Sequence, residues 1–216
     1  MRHLWLHGFA SGPGSTKALF VREQLRARGH DLVIPNLNLP SFRDLTVSRM
    51  LGVVSQLASE VPSGQLVLFG SSLGGLTAAL WAAANPERVL ALVLLAPAFD
   101  LADRFAARMG QERVAEWREK GALPFDHYAT RRPEELSVGF LDDLRMHPAF
   151  PLPRAPTLVL QGERDETVDP ALAHEFKRRS TAAGNLVRLV LLPDGHELSA
   201  DLPRLWSELE RFLPER

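Results

Sequence analysis

Cysteine is absent from this chain of 216 residues, which excludes disulfides, thiol nucleophiles and thiolate metal sites. Long apolar runs are absent too, and none approaches the roughly 20 residues that cross a bilayer. The first apolar run, within Met1-Arg2-His3-Leu4-Trp5-Leu6-His7-Gly8, is too short for a signal peptide and is interrupted by Gly8 and the turn residues after it. Charge of one sign is lacking: the formal net charge of -1 gives no electrostatic case for a nucleic-acid or membrane-surface partner. There is no His-Glu-x-x-His and no calcium loop, so no metal is implied. Internal repeats and low-complexity tracts are missing as well. These absences point to a cytoplasmic protein with no nucleic-acid or membrane partner, and nothing in the pattern selects a monomer over a homodimer.

What is present suits one domain over residues 1–216. The chain is long enough for a substantial core, and its 45% hydrophobic and 24% charged residues are ordinary for a globular protein. Apolar runs of strand length lie at 3–7, 31–34, 65–69, 89–95, 157–161 and 187–192. Most are apolar at successive positions, as a parallel sheet covered on both faces requires. Stretches of helical period lie between them, at 15–28, 45–60, 72–85, 170–183 and 198–212. Gly29 and Asn85-Pro86 stop two of these, and Asp169-Pro170 starts another. The alternation predicts an α/β fold with an open, doubly wound sheet of about six strands and helices on both faces.

Residues 98–154 break that rhythm. They are polar and charged, yet carry Phe105, Met109, Trp117, Phe125, Tyr128, Phe140 and Met146, and Pro148, Pro151, Pro153 and Pro156 close the segment. A structureless loop of that length is unusual inside a compact domain. Two or three short helices are expected, forming a small helical cap over the site.

The chemistry concentrates in Leu66-Val67-Leu68-Phe69-Gly70-Ser71-Ser72-Leu73-Gly74-Gly75. A buried-strand pattern ends in Gly-x-Ser-x-Gly and a helical pattern follows at once, which is the context of a nucleophile elbow. The turn is tight, and Gly70 and Gly74 avoid clashes beside Ser72. A serine hydroxyl needs a base, and the base needs an acid to hold it. In an open α/β sheet these groups sit beyond the carboxyl ends of strands. His196 follows the last strand in Pro193-Asp194-Gly195-His196, and Asp165 follows the preceding one in Gly162-Glu163-Arg164-Asp165. The order Ser72, Asp165, His196 is that of an α/β-hydrolase triad. Asp100, just after the fourth strand, is the alternative acid. Asp169 reads as a helix cap and Asp194 as a turn residue. Among the other histidines, His174 reads as a solvated helix position, whereas His127 and His147 could line a pocket.

Backbone N–H groups must meet a developing oxyanion. Leu73 supplies one, directly after Ser72. Phe9 is the best second candidate, in the loop His7-Gly8-Phe9-Ala10-Ser11-Gly12-Pro13-Gly14, with His7 fixing that loop. The same loop fails as a phosphate cradle. Gly14-Ser15-Thr16-Lys17 lacks the Gly-Lys-Ser/Thr order of a P-loop, and Lys17 stands where the dinucleotide fingerprint wants Gly or Ala. No cofactor is expected.

These motifs together resemble the α/β-hydrolase superfamily over nearly the whole chain. The opening Leu6-His7-Gly8-Phe9-Ala10-Ser11-Gly12-Pro13-Gly14-Ser15-Thr16-Lys17 is similar to small bacterial esterases that begin with a His-Gly-Phe-x-Ser-x-Pro-x-Ser-x-Lys loop. The resemblance implies a serine hydrolase acting on carboxylic or thio esters of small molecules through Ser72, His196 and Asp165. A peptidase, a lactonase, a carbon–carbon bond hydrolase or a non-catalytic binding protein would use the same scaffold.

Overall fold

The computed structural model describes residues 1–61 and 65–214. In chain order the elements are β1 (Arg2–Leu6), α1 (Thr16–Arg26), β2 (Leu32–Val33), α2 (Val47–Ser59), β3 (Leu66–Ser71), α3 (Leu73–Ala84) and β4 (Val89–Leu95). Then come α4 (Leu101–Met109), α5 (Gln111–Lys120), β5 (Ala122–His127), β6 (Arg132–Ser137) and α6 (Gly139–Leu144). The chain ends in β7 (Thr157–Gly162), α7 (Pro170–Ala182), β8 (Val187–Leu192) and α8 (Leu202–Phe212). Short 3₁₀ turns lie at Phe42–Asp44 and Pro86–Arg88.

Six strands form one parallel sheet in the order β2-β1-β3-β4-β7-β8. Alternate strand residues supply two cores, one on each face. Leu66 and Leu68 of β3, with Leu92 and Leu94 of β4, pack toward α2, α3 and α7. Val67 and Phe69, with Val93 and Leu95, pack toward α1 and α8. The strand period of two therefore explains why whole strands read as apolar. Helix α3 is buried along its length from Leu73 to Ala82, whereas α8 carries one apolar stripe of Leu205, Trp206 and Leu209.

Caps set several helix starts. Thr46 Oγ1 accepts the Arg49 N–H at α2, and Asp169 accepts the Ala171 N–H at α7, with Pro170 in the first turn. Two of the starts that differ from the sequence expectation have a backbone cause. Helix α3 begins at Leu73 because Ser72 has φ 53°, outside the helical region. Helix α8 begins at Leu202, four residues late. Leu198 has φ 48° and Ala200 N–H is held by Asp194 Oδ2 at 2.8 Å, so this stretch ties back to the preceding turn.

The segment between β4 and β7 is not only helical. Strands β5 and β6 pair as an antiparallel hairpin with Ala122 opposite Ser137 and His127 opposite Arg132. Pro124 and Pro133 interrupt both strand patterns, and only Ala122, Leu123, His127 and Leu136 of the pair are buried. Trp117 of α5 is fully buried against the hairpin and donates its indole N–H to Leu136 O at 2.7 Å.

His3 in β1 is buried beside His30, with ring centroids 5.0 Å apart. Burial, then the neighbouring His30, pushes its pKa down to about 4. An unfolded chain takes up that proton near 6.5. The stability conferred by neutral His3 is therefore complete above about pH 6.5 and is lost as pH falls toward 4. Urea midpoints measured from pH 7 to pH 4 should drop, and His3→Leu should flatten the drop.

Candidate active site

The sheet order reverses between β1 and β3: the chain leaves β1 for β2 on one side and returns to β3 on the other. A crevice opens at such a switch point, beyond the carboxyl ends of the strands. The register makes those ends flush, with Leu6 opposite Gly70 and Gly162 opposite Leu192. The loops after β1, β3, β7 and β8 consequently leave the sheet on one edge, and a cavity of about 1150 Å³ lies over them.

Ser72 stands at the tip of the turn between β3 and α3, with φ 53° and ψ −117°. A non-glycine residue holds such a conformation only where its surroundings impose it. Here the constraint is packing: a Cβ on Gly70 would lie 2.4 Å from Gly74 O, and one on Gly74 would lie 2.1 Å from Leu6 O. Helix α3 thus crosses the end of β1 at backbone contact. The crossing pushes Ser72 into the crevice.

His196 joins the two remaining loops. Its Nδ1–H donates to Asp165 Oδ2 at 2.9 Å. In the neutral imidazole Nε2 is then the acceptor, and Ser72 Oγ–H donates to it at 3.1 Å. The Asp165 side chain is fully buried. Its Oδ1 accepts the N–H groups of Thr167 at 2.9 Å and Val168 at 2.8 Å, and Gln161 Nε2 donates to its Oδ2 at 2.8 Å. Burial alone would raise the Asp165 pKa, but the hydrogen bond from His196 and those from Val168 and Thr167 outweigh it and hold the group below the usual carboxylate range.

The structure brings Ser72, Asp165 and His196 into one hydrogen-bonded line. Asp100 lies outside it, where it precedes α4 and its N–H bonds Ala149 O. Asp194 Oδ1 and Oδ2 accept the N–H groups of Gly195 and Ala200, so it orders the turn that carries His196. His127 and His147 do not line the cavity. Both are absorbed in packing: His127 stacks edge-on against Phe42, and His147 Nε2 sits 3.1 Å from Ser48 Oγ.

Phe9 and Leu73 both line the cavity beside Ser72. Leu73 is the first residue of α3, so its N–H has no acceptor within the helix. The loop of Phe9 comes equally close, since a Cβ on Gly8 would lie 3.2 Å from Ser72 Cβ. His7 locks that loop. Leu37 N–H donates to His7 Nε2 at 3.0 Å, which leaves the proton on Nδ1 to bond Gly8 O at 2.9 Å. Burial lowers the His7 pKa, and protonating Nε2 would break the Leu37 bond. The Phe9 ring meets Phe42, Phe105, Phe125 and Phe140 at centroid distances of 5.3 to 6.0 Å.

Sequence reasoning passed over Gln161 and Gly162. Gln161 is the last strand residue pointing at Asp165, a role that only the bend of the following loop creates. Gly162 brings two loops together, since a Cβ there would lie 2.3 Å from Gly195 O. Its place in the Gly162-x-x-Asp165 motif was the only signal.

A six-stranded parallel sheet with this elbow at its switch point has the α/β-hydrolase fold. Solved structures agree in fold. A structure from Agrobacterium vitis S4 superimposes with a TM-score of 0.83 at 23% identity, covering 99% of this chain and 88% of that one. Mouse alpha/beta hydrolase domain-containing protein 10 gives 0.78 at 24% identity, covering 97% and 88%. The chain belongs to the Uncharacterised protein family (UPF0227), whose model matches residues 2–189. It is also 27% identical over 176 residues to the mitochondrial palmitoyl-protein thioesterase ABHD10 of Bos taurus, a match covering 76% of this chain and 57% of that protein. The chain thus spans 57% of the length of this curated relative. Among the described residues no helix is long and apolar enough to cross a membrane.

Replacing Gly74 by Ala tests the elbow packing. The added methyl must displace the Leu6 carbonyl, so Gly74→Ala is expected to cost about 1–3 kcal/mol or more. A urea unfolding curve should show the loss as a lower midpoint.

Proposed function

We propose that this protein is a serine hydrolase that cleaves carboxylic or thio esters of small molecules. The reading is carried by the continuous hydrogen-bonded line from Ser72 through His196 to Asp165, opening into a large cavity. In this reaction His196 takes the Ser72 proton while Oγ attacks the acyl carbon. The resulting oxyanion meets the N–H groups of Phe9 and Leu73. His196 returns the proton to the departing alcohol or thiol as the acyl bond breaks. It next takes a proton from water, which attacks the acyl carbon, and passes that proton to Ser72 Oγ as the Oγ–acyl bond breaks and the acid is released. Asp165 keeps the imidazole in the required tautomer and stabilises its cation.

Residues 98–154 form the cap over this site. Their contribution includes an apolar wall, where Leu101, Phe105, Met109 and Phe125 face the cavity with Phe9, beside the polar Arg104, Arg108 and Arg113. That wall favours an apolar acyl group. The similarity to a palmitoyl-protein thioesterase makes thioesters the second substrate type to try beside oxygen esters.

Release of p-nitrophenol from p-nitrophenyl esters, acetate to palmitate, measures the activity directly. Wild type should turn over, and Ser72→Ala should lower kcat by roughly 10³-fold or more. A fluorophosphonate probe should label wild type at Ser72 only. Activity should fall toward acid, because a protonated His196 cannot accept the Ser72 proton. Asp165 stays ionised through that fall, its pKa being held below the usual range. A pH profile without the acid limb, or full turnover by Ser72→Ala, would overturn the proposal.

A further inference from the structure

The residues lining the cavity fall into two unlike groups, or arms, that belong to the two faces of the sheet. Phe9, Leu101, Phe105 and Met109 give one arm its aromatic and aliphatic surface, beside Arg104, Arg108 and Arg113, and all four pack against the core on the α3 side. The other arm lies over the opposite core, where Trp5 packs with α1. Trp5, Ser15, Lys17 and Ser71 line it, and each offers a hydrogen-bond donor.

Two of those donors belong to buried residues. Trp5 is fully buried, and its Nε1 has no hydrogen-bond partner among the described residues. Lys17 is only 6% exposed. Its Nζ has one ion pair, a 4.0 Å contact with Glu197 Oε2 on a side chain that is 80% exposed, and no hydrogen bond among the described residues. An ammonium on a largely buried side chain with one long ion pair is costly, and so is an indole N–H left dry. Burial pushes the Lys17 pKa down, while Glu197, Asp194 and Asp165 pull it back up. A close acceptor for Lys17 Nζ can come from whatever enters the cavity.

The position of this arm says which part of a substrate it meets. His196 must hand its proton to the departing oxygen or sulfur, and Lys17 sits against Glu197, the very next residue. The donor arm therefore receives the leaving group, and the aromatic arm receives the acyl chain. One ammonium is a single point charge. Arg104, Arg108 and Arg113 line the cavity from α4 and α5, but the charges acting on Lys17 are the acids Glu197, Asp194 and Asp165, so beside Lys17 a monoanionic carboxylate matches the charge better than a dianionic phosphate.

We infer that Lys17 binds a carboxylate carried on the leaving group of the ester. This rests on the hydrolase reading above. It makes Lys17 a specificity residue for alcohols or thiols that bear an acid group.

The test compares two esters with the same acyl group, 4-butanoyloxybenzoate and its neutral carboxamide, 4-butanoyloxybenzamide. Wild type should prefer the carboxylate ester in kcat/KM. Lys17→Met should lower that preference by about tenfold or more, the scale of losing one charged hydrogen bond. Each preference is a ratio within one protein sample, so a partly unfolded variant does not distort it. Lys17→Arg keeps the charge and should retain more of the preference than Lys17→Met. Calorimetry on Ser72→Ala should show tighter binding of the carboxylate ester, and Lys17→Met in that background should abolish the difference. Wild type without the preference, Lys17→Met that keeps it, or equal loss in the Met and Arg variants overturns the Lys17 assignment. In those cases turnover of the carboxamide ester, lost in Ser72→Ala, still upholds the hydrolase reading. Failure to turn over or bind either ester overturns both.

Discussion

Where α3 crosses the end of β1 there is no room for a methyl group. A side chain at Gly74 would collide with the Leu6 carbonyl, and one at Gly70 would collide with Gly74 itself. This backbone contact fixes the angle at which α3 leaves β3. It drives Ser72 to positive φ and sets the Ser72 hydroxyl in the crevice between β1 and β3. A strained residue at a site persists only when the packing around it over-determines its conformation. The same contact brings the loop after β1 over Ser72, so candidate nucleophile and candidate oxyanion donors are positioned by one crossing.

Asp165 shows how the fold keeps a charge out of water. Each of its oxygens accepts two donors: Oδ1 from Thr167 and Val168 N–H, and Oδ2 from Gln161 and His196. That satisfies the lone pairs of a side chain with no solvent contact. The arrangement also limits where Asp165 can sit, and through it where the His196 ring can turn. His7 performs the equivalent task for the first loop as a neutral ring, receiving one bond and giving one.

Phe9 links this polar line to the segment between β4 and β7. It follows Gly8, which borders Ser72, while its ring is held among Phe42, Phe105, Phe125 and Phe140. Aromatic contacts of this kind contribute about 0.5–1.5 kcal/mol per pair beyond buried area. Arg104 of α4 adds a polar tie, donating to Thr167 O at 2.7 Å in the Asp165 loop. The inserted segment is thereby anchored to both loops that frame the relay, and its packing bears on the geometry beneath it.

Taken by itself, the sequence determined the β-α alternation, the parallel sheet of six strands and the chain order of Ser72, Asp165 and His196. Those features are local or periodic: successive apolar residues mark strands buried on two faces, and Gly-x-Ser-x-Gly marks a tight turn wherever it folds. It did not reveal the β5–β6 hairpin, because Pro124 and Pro133 interrupt the pattern and an exposed two-stranded ribbon needs little apolar surface. It left Asp100 beside Asp165 as a candidate acid, since both follow strands of the same sheet. Only the tertiary structure decided which carboxylate meets His196. That outcome depends on Gly162 touching Gly195 across two loops about thirty residues apart in the chain, and on Gln161 holding the carboxylate once they meet. It also decided that Lys17 faces the cavity as a buried donor. Contacts between distant segments carry no mark in local periodicity, and they emerge only when the strands are laid side by side.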